Sequence, residues 1–181
     1  MIHPLRYFDD PVLRKQSEPV EKITDEIKQL VADLIETCAH HNGAGLSACQ
    51  IGICLRIFIL HNYLPLPDGT WALSAPLVFI NPKILSASQE VESDSEGCLS
   101  IPHFREWVER PIKLTIEALN LKGERFVEVF EGRTEIERLN ARVRFHENDH
   151  LNGVLFIDRL PPKVRKRIEP QLRLINTNYR K

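Results

Sequence analysis

The period of the apolar positions changes along this chain, and the changes mark its elements. Ile27, Leu30, Val31, Leu34, Ile35 and Cys38 recur at i, i+3, i+4, i+7, i+8 and i+11, the stripe of an amphipathic helix. Thr24 stands as its N-cap, and Asp25 and Glu26 put acids in a first turn whose dipole favours them. The turn-forming run HHNGAG ends it. Two short apolar runs, LRIFIL (55–60) and LVFIN (77–81), read as strands around a Pro- and Gly-bearing loop over 61–76. Further on, IKLTIEALNL alternates apolar and polar positions, a turn falls at 122 and 123, and ERFVEVFE returns as its hairpin partner.

Beyond Gly132 the helical period returns, and this second helix is expected to stop at Gly153, a residue suited to the left-handed position after a helix. A double proline at 161 and 162 precedes a third helix over 163–178, with Val164, Ile168, Leu172 and Ile175 at helical spacing. No repeat, low-complexity tract or linker interrupts the 181 residues, a length that suits one core. The expected architecture is a single α+β domain over 1–181. Mostly antiparallel sheets pack around a central helix, with one helix near each end of the chain.

Composition narrows the function classes. With 43% apolar residues, 27% charged residues and a net charge of −1, the chain is a globular protein with no general attraction to nucleic acid. The charge is local instead. From Pro161 onward, Lys163, Arg165, Lys166, Arg167, Arg173, Arg180 and Lys181 face a single acid, Glu169, so the third helix and the residues after it are strongly basic. The opening MIHPLRYFDDPVLRK lacks the apolar core of a signal peptide, and no run is long and apolar enough to span a bilayer. A cytoplasmic protein is therefore expected, its four cysteines reduced and unpaired. Cys38, Cys49 and Cys54 lie among apolar residues and read as small core hydrophobes.

The densest chemistry is HENDH. On a helix, His146 and His150 lie one turn apart on one face and can grip one cation, with Glu147 beside it. Ile136, Leu139, Val143, His146, Glu147 and His150 fall within an arc of about 100°, so the histidines continue the stripe expected to face the core. A catalytic divalent site usually takes three protein ligands and keeps one position open. A metzincin-like third histidine fails, because Phe156 occupies its place. Glu169 lies at a zinc-peptidase spacing but sits in the basic helix beside Pro170, where a solvated acid is expected. Cys98, in EGCLSIP, remains as a candidate.

GAGLSACQ (43–50), EGCLS (96–100) and HENDH (146–150) resemble, in order and spacing, the G-x-G-L-A-A-x-Q, E-G-C-L-S and H-E-x-D-H signatures of the peptide deformylases. The resemblance extends from DDPVLRK to HLNGVLFIDR. It implies that Cys98, His146 and His150 hold the metal, with water in the fourth place, so that the central helix is the metal-binding one. It implies that Glu147 is general base and acid, and that Gln50 and the backbone N–H of Leu99 bind the oxyanion. Gly45 would let the substrate backbone approach, Ala44 would line the side-chain pocket, and Arg105 would stand near the substrate channel. Glu96 would support the ligands from behind, paired with Arg110. The family removes the formyl group from the N-terminal formylmethionine of new chains. Fe(II) is the expected cofactor, one per chain, with zinc, nickel or cobalt able to substitute. Formylmethionyl nascent peptides are the expected substrate, and a monomer that docks on the ribosome through its basic C-terminal helix is the expected form.

The chain departs from the family pattern at Ser47 and Cys49 in the first motif, at Ala44 where a larger branched residue is common, at Phe145 before the first histidine, and at His103, where glycine is common. His103 is expected to be a loop residue, since three ligands already complete the site. Two other readings stay open: a zinc peptidase that uses Glu169, and a deformylase-like protein that binds without turnover. An intact Glu147 argues against the second, because binding alone does not require that carboxylate.

Overall fold

The computed structural model describes residues 1–179, with side chains as far as Ile175; Arg180 and Lys181 of the basic tail lie outside the described residues. The helices are α1 (Asp25–His40), α2 (Glu135–His150) and α3 (Pro162–Tyr179). The strands are β1 (Gly45–Ser47), β2 (Ile57–Leu60), β3 (Tyr63–Pro65), β4 (Trp71–Leu73), β5 (Leu77–Ala87), β6 (Val91–Cys98), β7 (Ile101–Pro111), β8 (Leu114–Leu119) and β9 (Arg125–Phe130). One antiparallel sheet has the order β1-β2-β5-β8-β9, while β3–β4 and β6–β7 are separate two-stranded hairpins. The fold is α+β, with α2 at its centre.

Strand β2 explains why LRIFIL shows no alternation: all four strand residues are buried, because both faces are covered. Ile57 and Ile59 pack with Leu30, Val31 and Leu34 of α1, whereas Phe58 and Leu60 pack with Phe79, Ile116, Ala141 and Phe145. Each such side chain withdrawn from water contributes roughly 1.5–3 kcal/mol. A third cluster joins Leu13, Ile101 and Phe156 to Ile168, Leu172 and Ile175, which fixes α3 to the β7 side of the molecule by the stripe its spacing predicts. The basic face of α3 is partly neutralised within the protein. Arg165 and Arg173 pair with Glu169, and Arg167 pairs with Glu106 of β7.

Helix α2 starts at Thr134, whose hydroxyl accepts the Glu137 N–H at 3.2 Å, while the Glu137 carboxylate accepts the Arg133 N–H at 2.8 Å. Near its end, Gly153 has φ +70° and its N–H donates to the His150 carbonyl at 3.2 Å. A Cβ there would also lie 2.5 Å from the Arg14 carbonyl oxygen, so glycine is required for space as well as for conformation.

Three expectations need correction, and one hairpin is new. The 61–76 loop contains the β3–β4 hairpin. LVFIN opens a strand that runs to Ala87, past a register shift between Ile80 and Lys83 where Asn81 takes φ 51° and Pro82 has no N–H to pair. The β6–β7 hairpin is absent from the hydrophobic pattern, because its strands are rich in charged and small polar residues. Last, the stripe of Ile136, Leu139, Val143 and His146 is half-buried and not core; the buried positions of α2 include Asn140, Arg142, Arg144, Asn148 and Asp149. Thr24 holds the N-cap position of α1 without a side-chain cap bond.

Candidate active site

Three segments converge against α2. Strand β1 runs into a short 3-10 turn, Ala48–Ile51, that carries Gln50, and the β6–β7 hairpin brings Cys98. In that hairpin Gly97 pairs with Arg105 but Cys98 pairs with Ile101, a register shift that sends the thiol toward α2. Cys98 Sγ lies 3.3 Å from His150 Nε2, and the ligand atoms of Cys98, His146 and His150 all lie within 4.8 Å of one another. Among the described residues this is the group of His, Cys, Asp and Glu side chains able to hold an ion.

The donor set fits a divalent metal. Metal–sulfur and metal–nitrogen bonds of about 2.3 and 2.1 Å in a tetrahedron give ligand–ligand edges of roughly 3.3–3.7 Å, near the observed Cys98–His150 separation. His146 directs Nδ1 at Glu96 Oε2, 3.1 Å away, which leaves its Nε2 for a cation. Burial opposes a positive charge on His146, but Cys98 and Glu96 outweigh it and raise its pKa well above the ordinary value, so this point favours positive charge. Burial and the neighbouring His146 push His150 well below the ordinary value, which keeps it a neutral donor.

Behind the ligands lies a buried ionic network. Arg110 donates two hydrogen bonds to Glu96, both 2.8 Å, and a third to Asp149 at 2.5 Å. Arg142 donates to Glu96 at 2.8 Å and to the carbonyls of Val108 and Glu92, and Arg159 closes the chain on Asp149. Burial alone would raise the Glu96 pKa, but hydrogen bonds from Arg110 and His146 hold it well below the carboxylate range. Glu96 is thus an anion that fixes the ring of His146. Sequence reasoning misses Arg142 and Asp149, although Arg142 lies one turn before His146 on α2, a spacing that places it behind the same site.

Glu147 is buried, and Ser47 donates to its Oε2 at 2.7 Å. Burial raises its pKa; the hydrogen bond from Ser47 and the charge on His146 pull the other way. A Cβ on Gly45 would lie 2.6 Å from Glu147 Oε1, so the first demand for glycine at 45 is room for this carboxylate. Ser47, in sequence only a departure from the family pattern, is therefore a partner of Glu147. Gln50 accepts the Ser47 N–H at 2.8 Å through its carbonyl, and its amide nitrogen donates to Ser100 Oγ at 3.1 Å and toward Cys98 Sγ at 3.5 Å. Cys38 and Cys49 are buried, and burial raises the Cys38 thiol to about 12; neither is a candidate nucleophile. Cys54 is half-buried.

A cavity of about 780 Å³ opens over this group, lined by Ala44, Gly45, Tyr63, Leu99, Arg105 and Val143 among others. Of the residues expected at the site, Ala44, Gly45, Gln50, Glu96, Cys98, Leu99, Arg105, His146 and Glu147 line this cavity, while His150 is reached through Cys98 and Arg110 stands behind Glu96. His103, at φ 60°, also lines the cavity and stands apart from the three-ligand cluster. Glu169 is on α3, committed to Arg165 and Arg173, so the peptidase alternative loses its third ligand.

Fold and donor set together define a metallohydrolase built on a helix with two histidines, a hairpin cysteine and a buried glutamate. Residues 2–166 match the family model described as polypeptide deformylase. A peptide deformylase of Pseudothermotoga lettingae is 42% identical over 172 residues, 95% of this chain and 91% of that one, and one of Thermotoga neapolitana is 40% identical over 171 residues, 94% of each. Among solved structures, the peptide deformylase of Ehrlichia chaffeensis superposes with TM-score 0.85 at 30% identity, covering 98% of both chains. A class I type b peptide deformylase of Acinetobacter baumannii with Met-Ala-Ser bound superposes with TM-score 0.77 at 32% identity, covering 88% of this chain and 99% of that one. The chain belongs to the polypeptide deformylase family. Its reaction is hydrolytic removal of the formyl group from an N-terminal formylmethionine, with release of formate.

Proposed function

We propose that Cys98, His146 and His150 hold one ferrous ion and that Glu147 moves the protons of the reaction. The convergence of two imidazoles, a thiol and a buried carboxylate under one cavity carries this reading. A divalent cation so held supplies Lewis acidity toward the formyl oxygen and makes water acidic enough to attack at neutral pH. The thiolate offsets one of the cation's two charges, which increases the need for a base at Glu147. Its carboxylate, held by Ser47, takes the proton from the attacking water and delivers it to the amide nitrogen as the C–N bond breaks. The Gln50 amide exchanges its weak sulfur acceptor for the oxygen that gains charge, and the Leu99 N–H joins it; each such donor is worth about 3 kcal/mol. Ala44, Gly45 and Arg105 hold the peptide, while Glu96 and Arg110 fix His146.

In this reading the whole of 1–181 is one monomeric catalytic domain that acts in the cytoplasm on formylmethionyl nascent peptides, with α3 resting on ribosomal RNA. No described helix is long and apolar enough to cross a membrane. The Met-Ala-Ser in the Acinetobacter baumannii structure is the peptide that deformylation of formyl-Met-Ala-Ser would leave, and it supports the same substrate class.

The ion is tested by stripping the protein and reloading it without oxygen. Zinc binds such a donor set more tightly than iron, but activity need not follow affinity. Formate release from formyl-Met-Ala-Ser should be fast with Fe(II), persist with Ni(II) or Co(II), and be slower with zinc. Peroxide should abolish the iron activity, because metal and thiolate are both oxidisable. A zinc form as fast as the iron form, with neither sensitive to peroxide, overturns the iron assignment and leaves the reaction standing. Cys98→Ala should lower metal occupancy itself.

A further inference from the structure

Both tryptophans of this chain are exposed, Trp71 at 47% and Trp107 at 64%. Tryptophan is highly buried on average, and exposed apolar surface beside a cleft marks a contact surface. Trp71 lies on the β3–β4 hairpin, in which Tyr63 pairs with Leu73 and Pro65 pairs with Trp71. Directly paired residues share a face, as do residues two apart on a strand. Tyr63, Leu73, Pro65 and Trp71 therefore form one continuous face. Tyr63 lines the active-site cavity, and Leu73 is 46% exposed, so this face runs from the cavity wall out into solvent.

The hairpin is fixed to the catalytic helix. The Asn140 side chain of α2 accepts the Tyr63 N–H at 2.8 Å and donates to the Tyr63 carbonyl at 3.2 Å. At the other strand, Ser74 Oγ accepts the Asn62 N–H at 2.9 Å. Arg105, which also lines the cavity, is held to Ser95 through its Nε at 3.0 Å and its Nη2 at 2.9 Å.

We infer that the Tyr63–Leu73–Pro65–Trp71 face is a docking strip for the substrate chain and selects apolar side chains at its third and fourth residues. The inference rests on the proposed site. A peptide whose formyl group reaches Glu147 must leave the cavity, and the face beginning at Tyr63 is continuous with that cavity. The two strand positions from Tyr63 to Pro65 span about 6.6 Å, the length of two extended residues. The strip carries no charge of its own and so rewards leucine or phenylalanine over glycine.

The test compares three substrates with the iron-loaded enzyme: formyl-Met-Ala, formyl-Met-Ala-Gly-Gly-Ser and formyl-Met-Ala-Leu-Leu-Ser. The leucine peptide should exceed the glycine peptide in kcat/KM by about five- to tenfold. Trp71→Ser/Leu73→Ser should bring that ratio close to one and leave formyl-Met-Ala unchanged. In a Trp107→Phe background, unformylated Met-Ala-Leu-Leu-Ser should shift the Trp71 fluorescence, and Met-Ala should not. A ratio that survives the double substitution, or an equal loss on all three substrates, overturns the strip. So does a sedimentation shift from dimer to monomer on Trp71→Ser with an unchanged ratio, which would make the face a contact with a second copy. If no substrate releases formate, the site reading fails, and the fluorescence shift still decides the strip.

Discussion

Helices α2 and α3 are 16 and 18 residues long and are held by opposite means. Helix α3 is amphipathic: Ile168, Leu172 and Ile175 are buried, and Lys163, Lys166 and Arg173 face outward. Helix α2 buries Arg142, Arg144, Glu147, Asn148, Asp149 and His150, and its partly exposed Leu139 and Val143 line the cavity instead. Arg144 shows how such burial is tolerated. It is fully covered, paired with Glu128 at 2.5 Å, and its guanidinium lies 4.5 Å from the centre of the Phe130 ring. Arg142, Arg144 and Asp149 are buried with hydrogen-bond partners, whereas Asn148 Oδ1 and His150 Nδ1 are buried without one among the described residues; away from the site, burial follows apolar area. The polar burial carries the chemistry and contributes stability as well; the apolar burial contributes stability alone.

The largest expected effect separates those two outcomes at one residue. Glu147→Gln should lower formate release by about 10³- to 10⁴-fold, roughly 4–5.5 kcal/mol of activation free energy, because an amide cannot carry the proton. Its metal content should be unchanged and its melting temperature equal or higher, since burial disfavours the carboxylate it replaces. Calorimetry and metal analysis of one preparation check both halves; a variant that melts early or loses metal would make Glu147 a structural residue.

A further pair of substitutions sets the ionic network behind α2 against the apolar core under α3. Arg110→Ala leaves Glu96 and Asp149 buried without their shared partner and should cost about 3–5 kcal/mol in urea unfolding of the holoenzyme. Leu172→Ala, which opens a cavity under α3, should cost about 2–4 kcal/mol and leave turnover intact. The contrast breaks if Arg110→Ala is the milder change, or if Leu172→Ala reduces turnover as much as stability.

The same contrast decides what the sequence could show. Helix α1, helix α3 and the β8–β9 hairpin follow apolar periodicity and are legible to within a few residues, because their partners are apolar. The β6–β7 hairpin is not, since VESDSEGC alternates between charged and small polar residues whose partners lie far along the chain. Within the site, the ligand cluster and its glutamate are legible as spaced motifs. The bond from Ser47 to Glu147, 100 positions away, and the contact of Arg142 with Glu96, 46 away, depend on packing that no local pattern encodes. The β3–β4 hairpin reads as loop in the sequence because Pro65, Pro67 and Gly69 punctuate it.

The smallest effect on the enzyme itself concerns the outer face of α3. The local positive charge motivates docking on ribosomal phosphates, whose condensed counterions are released by bound lysine and arginine. Yet Arg165 and Arg173 already pair with Glu169, and Arg167 with Glu106, so reversing those arginines would disturb the protein as well as any contact. Lys163 and Lys166 are exposed and are the cleaner probe. Lys163→Glu/Lys166→Glu should change stability by less than about 0.5 kcal/mol and leave kcat/KM on formyl-Met-Ala-Ser unchanged. Co-sedimentation with ribosomes should weaken, with a shallower salt dependence, because two phosphate contacts would be lost. Unchanged co-sedimentation at low and moderate salt would falsify the docking role. Helix α3 would then be only what its apolar stripe makes it, a brace against Leu13, Ile101 and Phe156.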